Sequence, residues 1–239
     1  MAEEVIRVKI DKETREAIRE ALQDMKDPVD IHVFIDDDCI TCKETLKLVR
    51  VLKEEAPNSL IKVHLHHRQI DEEVFKEHGV DRVPTLTLLD GAIKYVGTPA
   101  GEEIRGLIET IIRISQKDSG LDDTTIAKIK DLKEKEVRIE VIVTPQCPYC
   151  PYASLLANMF AFEAWRAGNK TFIAETIEAY ENPDIADRYN VTNVPAIAVN
   201  GVLIFVGVPY EEDLVERIYD VVKRGRKVDV EVTRGSPIR

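Results

Sequence analysis

The chain contains stretches in which every second residue is apolar, and each is followed by a stretch with apolar residues at helical spacing. The first such pair predicts a strand over 31–35 and a helix with Leu46, Val49, Leu52 and Ala56 on one face. The same order returns about one hundred residues later, with a predicted strand over 137–143 and a helix with a wide apolar arc after it. Strands that alternate with helices predict an α/β fold.

Turn signals extend the series in both halves. Asp90-Gly91 and Asn200-Gly201 each predict a β-hairpin, and a helix is predicted after each hairpin. The predicted elements of the first half are helix 11–26, strand 31–35, a helix from Cys39, strand 60–65, helix 71–78, strands 84–89 and 93–96, and helix 102–114. Those of the second half are strand 137–143, helix 149–167, strand 171–174, helix 183–189, hairpin 196–205 and helix 211–223.

The two halves are related by an internal repeat. Cys39 and Cys42 recur as Cys147 and Cys150, and the apolar positions of the following elements recur in the same registers. Because a period of two and a helical period both stay in register, we predict two homologous units, 1–117 and 118–239. The join near 115–120 is short and polar, so we expect the units to pack against each other.

Composition narrows the range of functions. The formal net charge of −11 argues against a nucleic-acid partner, which would need a basic surface. No apolar run approaches the about 20 residues of a membrane span, and the acidic start, Met1 to Glu4, lacks the apolar region of a signal peptide. These features predict a cytoplasmic protein without a membrane partner. Charged residues make up 32% of the chain, and this bias favours a thermophilic source.

All four cysteines lie in Cys-x-x-Cys pairs, at 39–42 and 147–150, and each pair precedes a Val-Pro dipeptide. Such a pair near a strand-helix-strand pattern is typical of redox chemistry, with a zinc site and a purely structural disulfide as alternatives. The two pairs are too far apart for a zinc ribbon, and a disulfide that closes so small a loop stabilises little. We therefore favour redox chemistry, and the two alternatives stay open.

The order of elements, with Cys-x-x-Cys at the first strand-to-helix junction and X-Pro before the hairpin, resembles the thioredoxin fold. The doubled arrangement, with a glutaredoxin-like Cys-Pro-Tyr-Cys at 147–150, resembles the tandem protein disulfide oxidoreductases of thermophilic archaea and bacteria. The resemblance implies two tandem α/β units, each a central mixed β-sheet flanked by helices. It also implies redox disulfides Cys39–Cys42 and Cys147–Cys150, cis peptide bonds before Pro84 and Pro195, and substrate binding there by the backbone of Val83 and Val194.

The position of each cysteine suggests its role. A thiol at a helix amino terminus faces free backbone N–H groups and the positive end of the helix dipole, so its pKa falls. We therefore expect Cys39 and Cys147 to attack substrate. We expect Cys42 and Cys150, one turn further on, to resolve the mixed disulfide from a more shielded position.

The two sites differ in their surrounding charges. Three aspartates at 36–38 precede Cys39 and oppose its thiolate, although Lys43 offsets part of this effect, whereas the residues at 144–146 before Cys147 are neutral. We predict the lower thiolate pKa at Cys147, and therefore the more oxidising disulfide in the second unit.

Some side chains depart from ordinary thioredoxin or allow a second interpretation. Val33 and Val141 stand where thioredoxin has a buried aspartate, so proton transfer during resolution must differ or use another group. Glu175 is one candidate, although a solvated glutamate is favoured.

His64 and His66 share a predicted strand face, and exposed histidines are favoured there over a metal site. The apolar helix around Trp165 is expected to pack in the core or between the units, with a partner groove as the alternative.

We predict an enzyme, a protein dithiol-disulfide oxidoreductase that reduces protein disulfides and also oxidises or isomerises them. The resemblance implies no cofactor beyond the redox-active disulfides. It implies as partners disulfide-containing proteins, a thioredoxin-reductase-like flavoprotein and a peroxiredoxin.

Two alternative functions are kept. The first is a dedicated electron carrier between a flavoprotein disulfide reductase and a peroxiredoxin, similar to the tandem amino-terminal region of the alkyl hydroperoxide reductase flavoprotein. That region keeps one working Cys-x-x-Cys, so two intact motifs count against it. The second is a non-catalytic zinc-binding or interaction module.

Overall fold

The computed structural model describes residues 7–225 and 229–233, which form two α/β units in sequence. The first unit begins with helix α1 (Lys12–Leu22), capped by the Asp11 side chain, which accepts the Thr14 N–H at 2.8 Å. Its other elements are β1 (Val29–Ile35), α2 (Cys42–Glu55), β2 (Ile61–His67), α3 (Glu72–Glu77), β3 (Thr85–Leu88), β4 (Ile93–Val96) and α4 (Glu103–Gln116), with 3-10 turns at Pro57–Ser59 and Leu89–Gly91.

The second unit repeats this order, so the predicted α/β class and element order are confirmed. Its elements are α5 (Asp123–Asp131), β5 (Val137–Val143), α6 (Cys150–Arg166), β6 (Phe172–Glu178), α7 (Pro183–Arg188), β7 (Ala196–Val199), β8 (Val202–Val206), α8 (Glu211–Val222) and a short added strand, β9 (Glu231–Val232). Within the described ranges, none of the helices is long and apolar enough to cross a membrane.

The strands of both units join in one mixed sheet, in the order β2-β1-β3-β4-β6-β5-β7-β8-β9. The junction is the parallel pair β4 and β6, in which Ile93 lies opposite Ala174 and Val96 lies opposite Ile177. The Ala174 N–H also donates to the carbonyl oxygen of Ala92 at 2.9 Å. The units therefore pack against each other through backbone hydrogen bonds as well as side chains.

Both Cys-x-x-Cys motifs lie at the same end of the sheet, where the parallel strands β1 and β5 have their carboxyl ends. Strand β3 is antiparallel to both β1 and β4, so β1 and β4 run in one direction. Strands β4, β6 and β5 are parallel neighbours, so β5 runs in that direction too. Each of β1 and β5 leads into a cysteine motif at its carboxyl end. Four interstrand steps of about 4.8 Å place these two ends about 19 Å apart.

Helices α4 and α6 pack against each other across the junction. Gly106 of α4 lies so close to α6 that a Cβ there would lie 3.2 Å from the Cα of Pro151. Further along, the Asn158 amide of α6 donates to the hydroxyls of Tyr95 and Thr110 at 2.9 and 3.1 Å, so these buried hydroxyls are paired. The apolar arc of α6 is covered in this way, as predicted, and its buried members include Leu156, Met159, Phe160 and Phe162.

Three local predictions are wrong. The helix after Cys39 begins only at Cys42, because Cys39 lies in a turn in which its N–H donates to the carbonyl oxygen of Asp36. Strand β6 continues to Glu178 because it has a hydrogen-bonded neighbour on each side. Glu175 is buried in that strand, 3.3 Å from Lys94 Nζ and 3.5 Å from an Arg138 guanidinium nitrogen. It is therefore an ion-paired residue within the sheet and not a solvated one.

Candidate redox sites

The first candidate site is a disulfide at the amino terminus of α2. Cys39 and Cys42 are bonded, with their Cα atoms 5.5 Å apart. Cys39 is half-buried in the turn, and Cys42, the first helical residue, is 4% exposed. The Cys42 N–H donates to Cys39 Sγ at 3.1 Å. Since this N–H belongs to the first turn of the helix, it and the helix dipole favour a thiolate on Cys39.

The second candidate site repeats this geometry at the start of α6. Cys147 and Cys150 are bonded with Cα atoms 5.4 Å apart, and the Cys150 N–H donates to Cys147 Sγ at 3.1 Å. Cys147 is 8% exposed, whereas Cys150 is fully buried. In both sites, therefore, the more exposed cysteine is the first of the pair.

In each unit, a cis peptide bond precedes the proline directly before the hairpin, at β3 in the first unit and at β7 in the second. The Val83–Pro84 and Val194–Pro195 bonds are both cis, as the resemblance implies. The residue after each proline pairs with Phe34 of β1 in the first unit and with Ile142 of β5 in the second. This register brings both proline loops to the strand ends that lead into the cysteines. The two valines are half-buried there, and the two prolines are buried.

The acidic run before Cys39 is partly neutralised. Arg68 Nε lies 3.2 Å from a carboxylate oxygen of Asp36, and His67 Nε2 lies 3.1 Å from one of Asp37. Asp38 is exposed to solvent. The Arg68 contact makes the negative field around Cys39 weaker than three unpaired carboxylates would produce.

The first unit supplies part of the second site. Gly101, with a φ of +59°, lies against the loop before Cys147, where a Cβ would come within 2.2 Å of the carbonyl oxygen of Pro145. The next residue, Glu102, donates its N–H to that oxygen at 2.9 Å. An Arg105 guanidinium nitrogen lies 3.4 Å from the carbonyl oxygen of Pro148, inside the cysteine motif. A positive charge from the first unit therefore lies beside the second disulfide.

A buried carboxyl group, that of Glu103, also lies at this site, and no sequence pattern indicates it. One oxygen accepts from the Ser154 hydroxyl at 3.1 Å, and the other has no hydrogen-bond partner among the described residues. Ser154 lies one turn after Cys150, on the same face of α6. Burial raises the pKa of Glu103 to about 8, and the Ser154 hydrogen bond lowers it by a smaller amount. Glu103 can therefore exchange a proton near neutral pH.

The histidines form a stacked cluster on the first unit. His32 Nδ1 lies 2.9 Å from His66 Nε2, and the His32 and His64 rings stack with centroids 4.6 Å apart. Burial, the largest cause, lowers the pKa of His32 to about 4 and also lowers the pKa of His66 and His78. His64 is exposed as expected, whereas His66 is half-buried. In the part of the chain that the structure describes, no group of three or more His, Cys, Asp or Glu side chains could hold a metal ion.

The thioredoxin domain family matches the chain twice, over residues 29–109 and 137–219. A probable thioredoxin of Methanothermobacter marburgensis is 39% identical over 87 residues, which are 36% of this chain and 98% of that protein. A thioredoxin of Methanocaldococcus jannaschii is 39% identical over 83 residues, which are 35% of this chain and 93% of that protein. Each relative therefore has the length of one unit.

Two solved structures match both units together. A protein disulfide oxidoreductase from Aeropyrum pernix is 49% identical, with a TM-score of 0.88, over 92% of this chain and 96% of that chain. The alkylhydroperoxide reductase AhpF of Enterococcus faecalis has a TM-score of 0.77 over 87% of this chain and 99% of that chain. Its 19% identity shows a shared fold only. With a Cys-x-x-Cys disulfide in each of two thioredoxin domains, the chain belongs to the thioredoxin family as a tandem protein disulfide oxidoreductase.

Proposed function

We propose that each disulfide works as an attacking and resolving pair on protein substrates. Cys39 and Cys147 attack, and Cys42 and Cys150 resolve. The observation that carries this assignment is the helix N–H that the second cysteine donates to the sulfur of the first, at 3.1 Å in both sites. The units that carry the two pairs are 1–117 and 118–239.

Reduction of a substrate follows two exchanges. The Cys147 thiolate attacks one sulfur of a substrate disulfide, the mixed disulfide forms, and the other substrate sulfur leaves as a thiolate and takes up a proton. Cys150 then loses its proton and attacks Cys147 Sγ. The second substrate sulfur leaves and is protonated, and the Cys147–Cys150 bond closes. Two electrons pass from the protein to the substrate, and the reverse sequence forms a substrate disulfide.

Glu103 is the group that we propose as proton acceptor for Cys150. Its carboxyl is buried against the face of α6 that carries Cys150, and its raised pKa, about 8, suits proton exchange with a thiol. Glu103→Gln should slow release of the mixed disulfide most strongly at about pH 8 and above, where the Glu103 carboxylate is available as acceptor, and should flatten the pH profile of that step. An unchanged profile would contradict this role.

Substrate polypeptide is proposed to bind as an extended segment beside the cis-prolines. The register of β3 and β7 brings the Val83 and Val194 backbones to the strand ends that lead into the two cysteine motifs, which supports binding of a substrate segment there with its own disulfide near Cys39 or Cys147. Backbone hydrogen bonds accept many sequences, which suits an enzyme that acts on varied proteins.

Electrons are proposed to enter at the first site and leave at the second, with the exchange between the sites running from one molecule to another, because the two pairs of one molecule lie about 19 Å apart. Three aspartates directly precede Cys39, whereas Arg105 lies beside the second motif, so the first disulfide should be the more reducing. A thioredoxin-reductase-like flavoprotein would reduce the first site. Disulfide-bearing proteins and a peroxiredoxin would oxidise the second. No organic cofactor is needed because the sulfurs hold the electrons, and we place this activity in the cytoplasm.

The test is insulin disulfide reduction by dithiothreitol with metal-stripped protein. Wild type is compared with the double variants Cys39→Ser/Cys42→Ser and Cys147→Ser/Cys150→Ser. We expect most turnover to be lost with the second pair. If wild type retains zinc after the stripping step, and neither wild type nor either double variant reduces insulin, the zinc-binding module is favoured. Turnover only with a flavoprotein and a peroxiredoxin would favour the dedicated carrier.

A further inference from the structure

The first redox site is enclosed partly by a segment of the second unit, residues 178–184, which begins at the end of β6 and enters α7. We call this the bridging segment. Its Asp184 forms a two-point ion pair with Arg82, with contacts of 2.9 and 2.5 Å, directly before the cis bond at Pro84. Its Glu181 reaches both the cysteine motif and the loop after β4. The second unit therefore touches three loops that surround the first disulfide.

Both carboxylate oxygens of Glu181 are used in these contacts. One accepts a hydrogen bond from the hydroxyl of Thr41, the residue between Ile40 and Cys42. The other accepts the Thr98 N–H at 2.5 Å. Thr41 precedes α2 at the N-cap position but makes no capping bond to that helix, so its hydroxyl is committed to the second unit.

The position of Glu181 is fixed from both sides. Its own N–H donates to a carboxylate oxygen of Glu178 at 2.6 Å. On the other side, the hydroxyls of Thr98 and Thr45 lie 2.9 Å apart, and Thr45 belongs to the first turn of α2, just after Cys42. A chain of hydrogen bonds thus runs from the end of β6 into the helix that carries the first redox pair.

The internal repeat shows that this contact is specific to the junction. Strand β2 ends at His67 as β6 ends at Glu178, so Ile70 is the counterpart of Glu181. Ile70 is 81% exposed, because among the described residues β2 is the outermost strand at its side of the sheet. At the second site, the side chain of the other unit that contacts the cysteine motif itself is the cationic Arg105.

A carboxylate fixed against the residue before Cys42 has a direct electrostatic consequence. It disfavours the thiolate of the reduced pair and leaves the uncharged disulfide unaffected, so oxidation becomes easier. Asp36 already has the cationic Arg68 as a partner, whereas Glu181 interacts with a hydroxyl and a neutral N–H. Its charge is thus not cancelled by a cation in these contacts.

We propose that Glu181 is a positioning residue of the first redox site, supplied by the second unit, which holds the Cys39–Cys42 loop and makes this disulfide the more reducing of the two. The inference rests on the proposed role of Cys39 and Cys42 as a redox couple. The second unit thereby takes part in setting the potential of the first.

The test is a redox titration of the full chain in the background Cys147→Ser/Cys150→Ser, so that only the first pair is observed. The parent is the protein with only these two substitutions, and it is compared with Glu181→Gln, Glu181→Ala and Thr41→Val made in it. Each protein is equilibrated with glutathione buffers, and its oxidised fraction is measured by alkylation and mass spectrometry. Glu181→Gln keeps one acceptor for the Thr98 N–H and one polar contact for Thr41, but removes the charge. The matched control is Glu212→Gln, an exposed glutamate of the same unit on α8.

We expect Glu181→Gln to shift the exchange constant about tenfold towards the reduced pair, which corresponds to about 30 mV. The pKa of Cys39, measured from alkylation rates against pH, should fall in parallel, and Glu212→Gln should match the parent. Glu181→Ala and Thr41→Val should also alter the titration because they free the loop.

Two results would overturn the proposal in different ways. If the parent titrates reversibly and Glu181→Gln stays within twofold of it, the role of Glu181 is wrong and the redox couple stands. If the parent pair shows no reversible reduction, the proposed function of the first site fails, and the role of Glu181 fails with it.

Discussion

Glu103 of the first unit accepts a hydrogen bond from Ser154 of the second at 3.1 Å, and both side chains are buried. Burial raises the pKa of Glu103 from 4.5 to about 8. The folded protein therefore keeps a proton that the unfolded chain releases near pH 4.5. The stabilisation that this proton provides is fully present below that pH and is lost as the pH rises through 8.

Glu103→Gln should remove this dependence on pH. Between about pH 5 and 8, the free energy of unfolding of the wild type should fall relative to the variant by about 1.4 kcal/mol per pH unit. Guanidinium unfolding of the oxidised proteins at several pH values measures the difference, with the exposed neighbour Glu102→Gln as control. Parallel profiles for wild type and Glu103→Gln would show that the carboxyl is not protonated in the folded state.

The two redox pairs should not exchange disulfides directly within one molecule. The carboxyl ends of β1 and β5, which lead into the two pairs, are separated by four interstrand steps, or about 19 Å. A disulfide needs Cα atoms within about 7 Å of each other. In a Cys42→Ser/Cys150→Ser variant, Cys39 and Cys147 should remain free under mild oxidation at low protein concentration. Mass analysis after alkylation measures this. A quantitative internal Cys39–Cys147 bond would require the sheet junction to open.

Gly101→Ala should destabilise the protein more than Gly201→Ala does. Both glycines have a positive φ, but a Cβ on Gly101 would meet a carbonyl oxygen of Pro145 at 2.2 Å, whereas nothing lies within 4 Å of one on Gly201. The backbone strain of about 1–2 kcal/mol is common to both, and the clash should add about 1–3 kcal/mol at Gly101. Denaturant unfolding measures the difference. Equal costs would mean that the loop before Cys147 moves freely away from α4.

Trp165 should report the separation of the two units. Its indole N–H donates to the Asp90 carboxylate of the first unit at 3.4 Å, and the main apolar core includes buried residues of both units. Because the sheet and this core are shared, we expect Trp165 fluorescence and far-UV circular dichroism to change at the same denaturant concentration. Two separate transitions would show that the units unfold independently.

The sequence predicts the parts of each site that the repeat contains. The cysteines, the Val-Pro dipeptides and the strand and helix periods recur in register, and the comparisons confirm the family that they indicate. Glu103 and Glu181 could not be found in this way, since their contacts exist only at the junction. Their counterparts in the repeat, Asp213 and Ile70, are both exposed. Glu175 was misjudged for a related reason, because its cover comes from a strand of the other unit.

The sheet junction also gives the two copies of the repeat unequal freedom to change. In β6, six of seven residues are buried, whereas in its counterpart β2 only one of seven is. A side chain introduced in β6 must fit between buried neighbours, whereas the same side chain in β2 can be exposed to solvent. After such a duplication the inner copy of this strand becomes the constrained one, and the outer copy stays open to mutational drift.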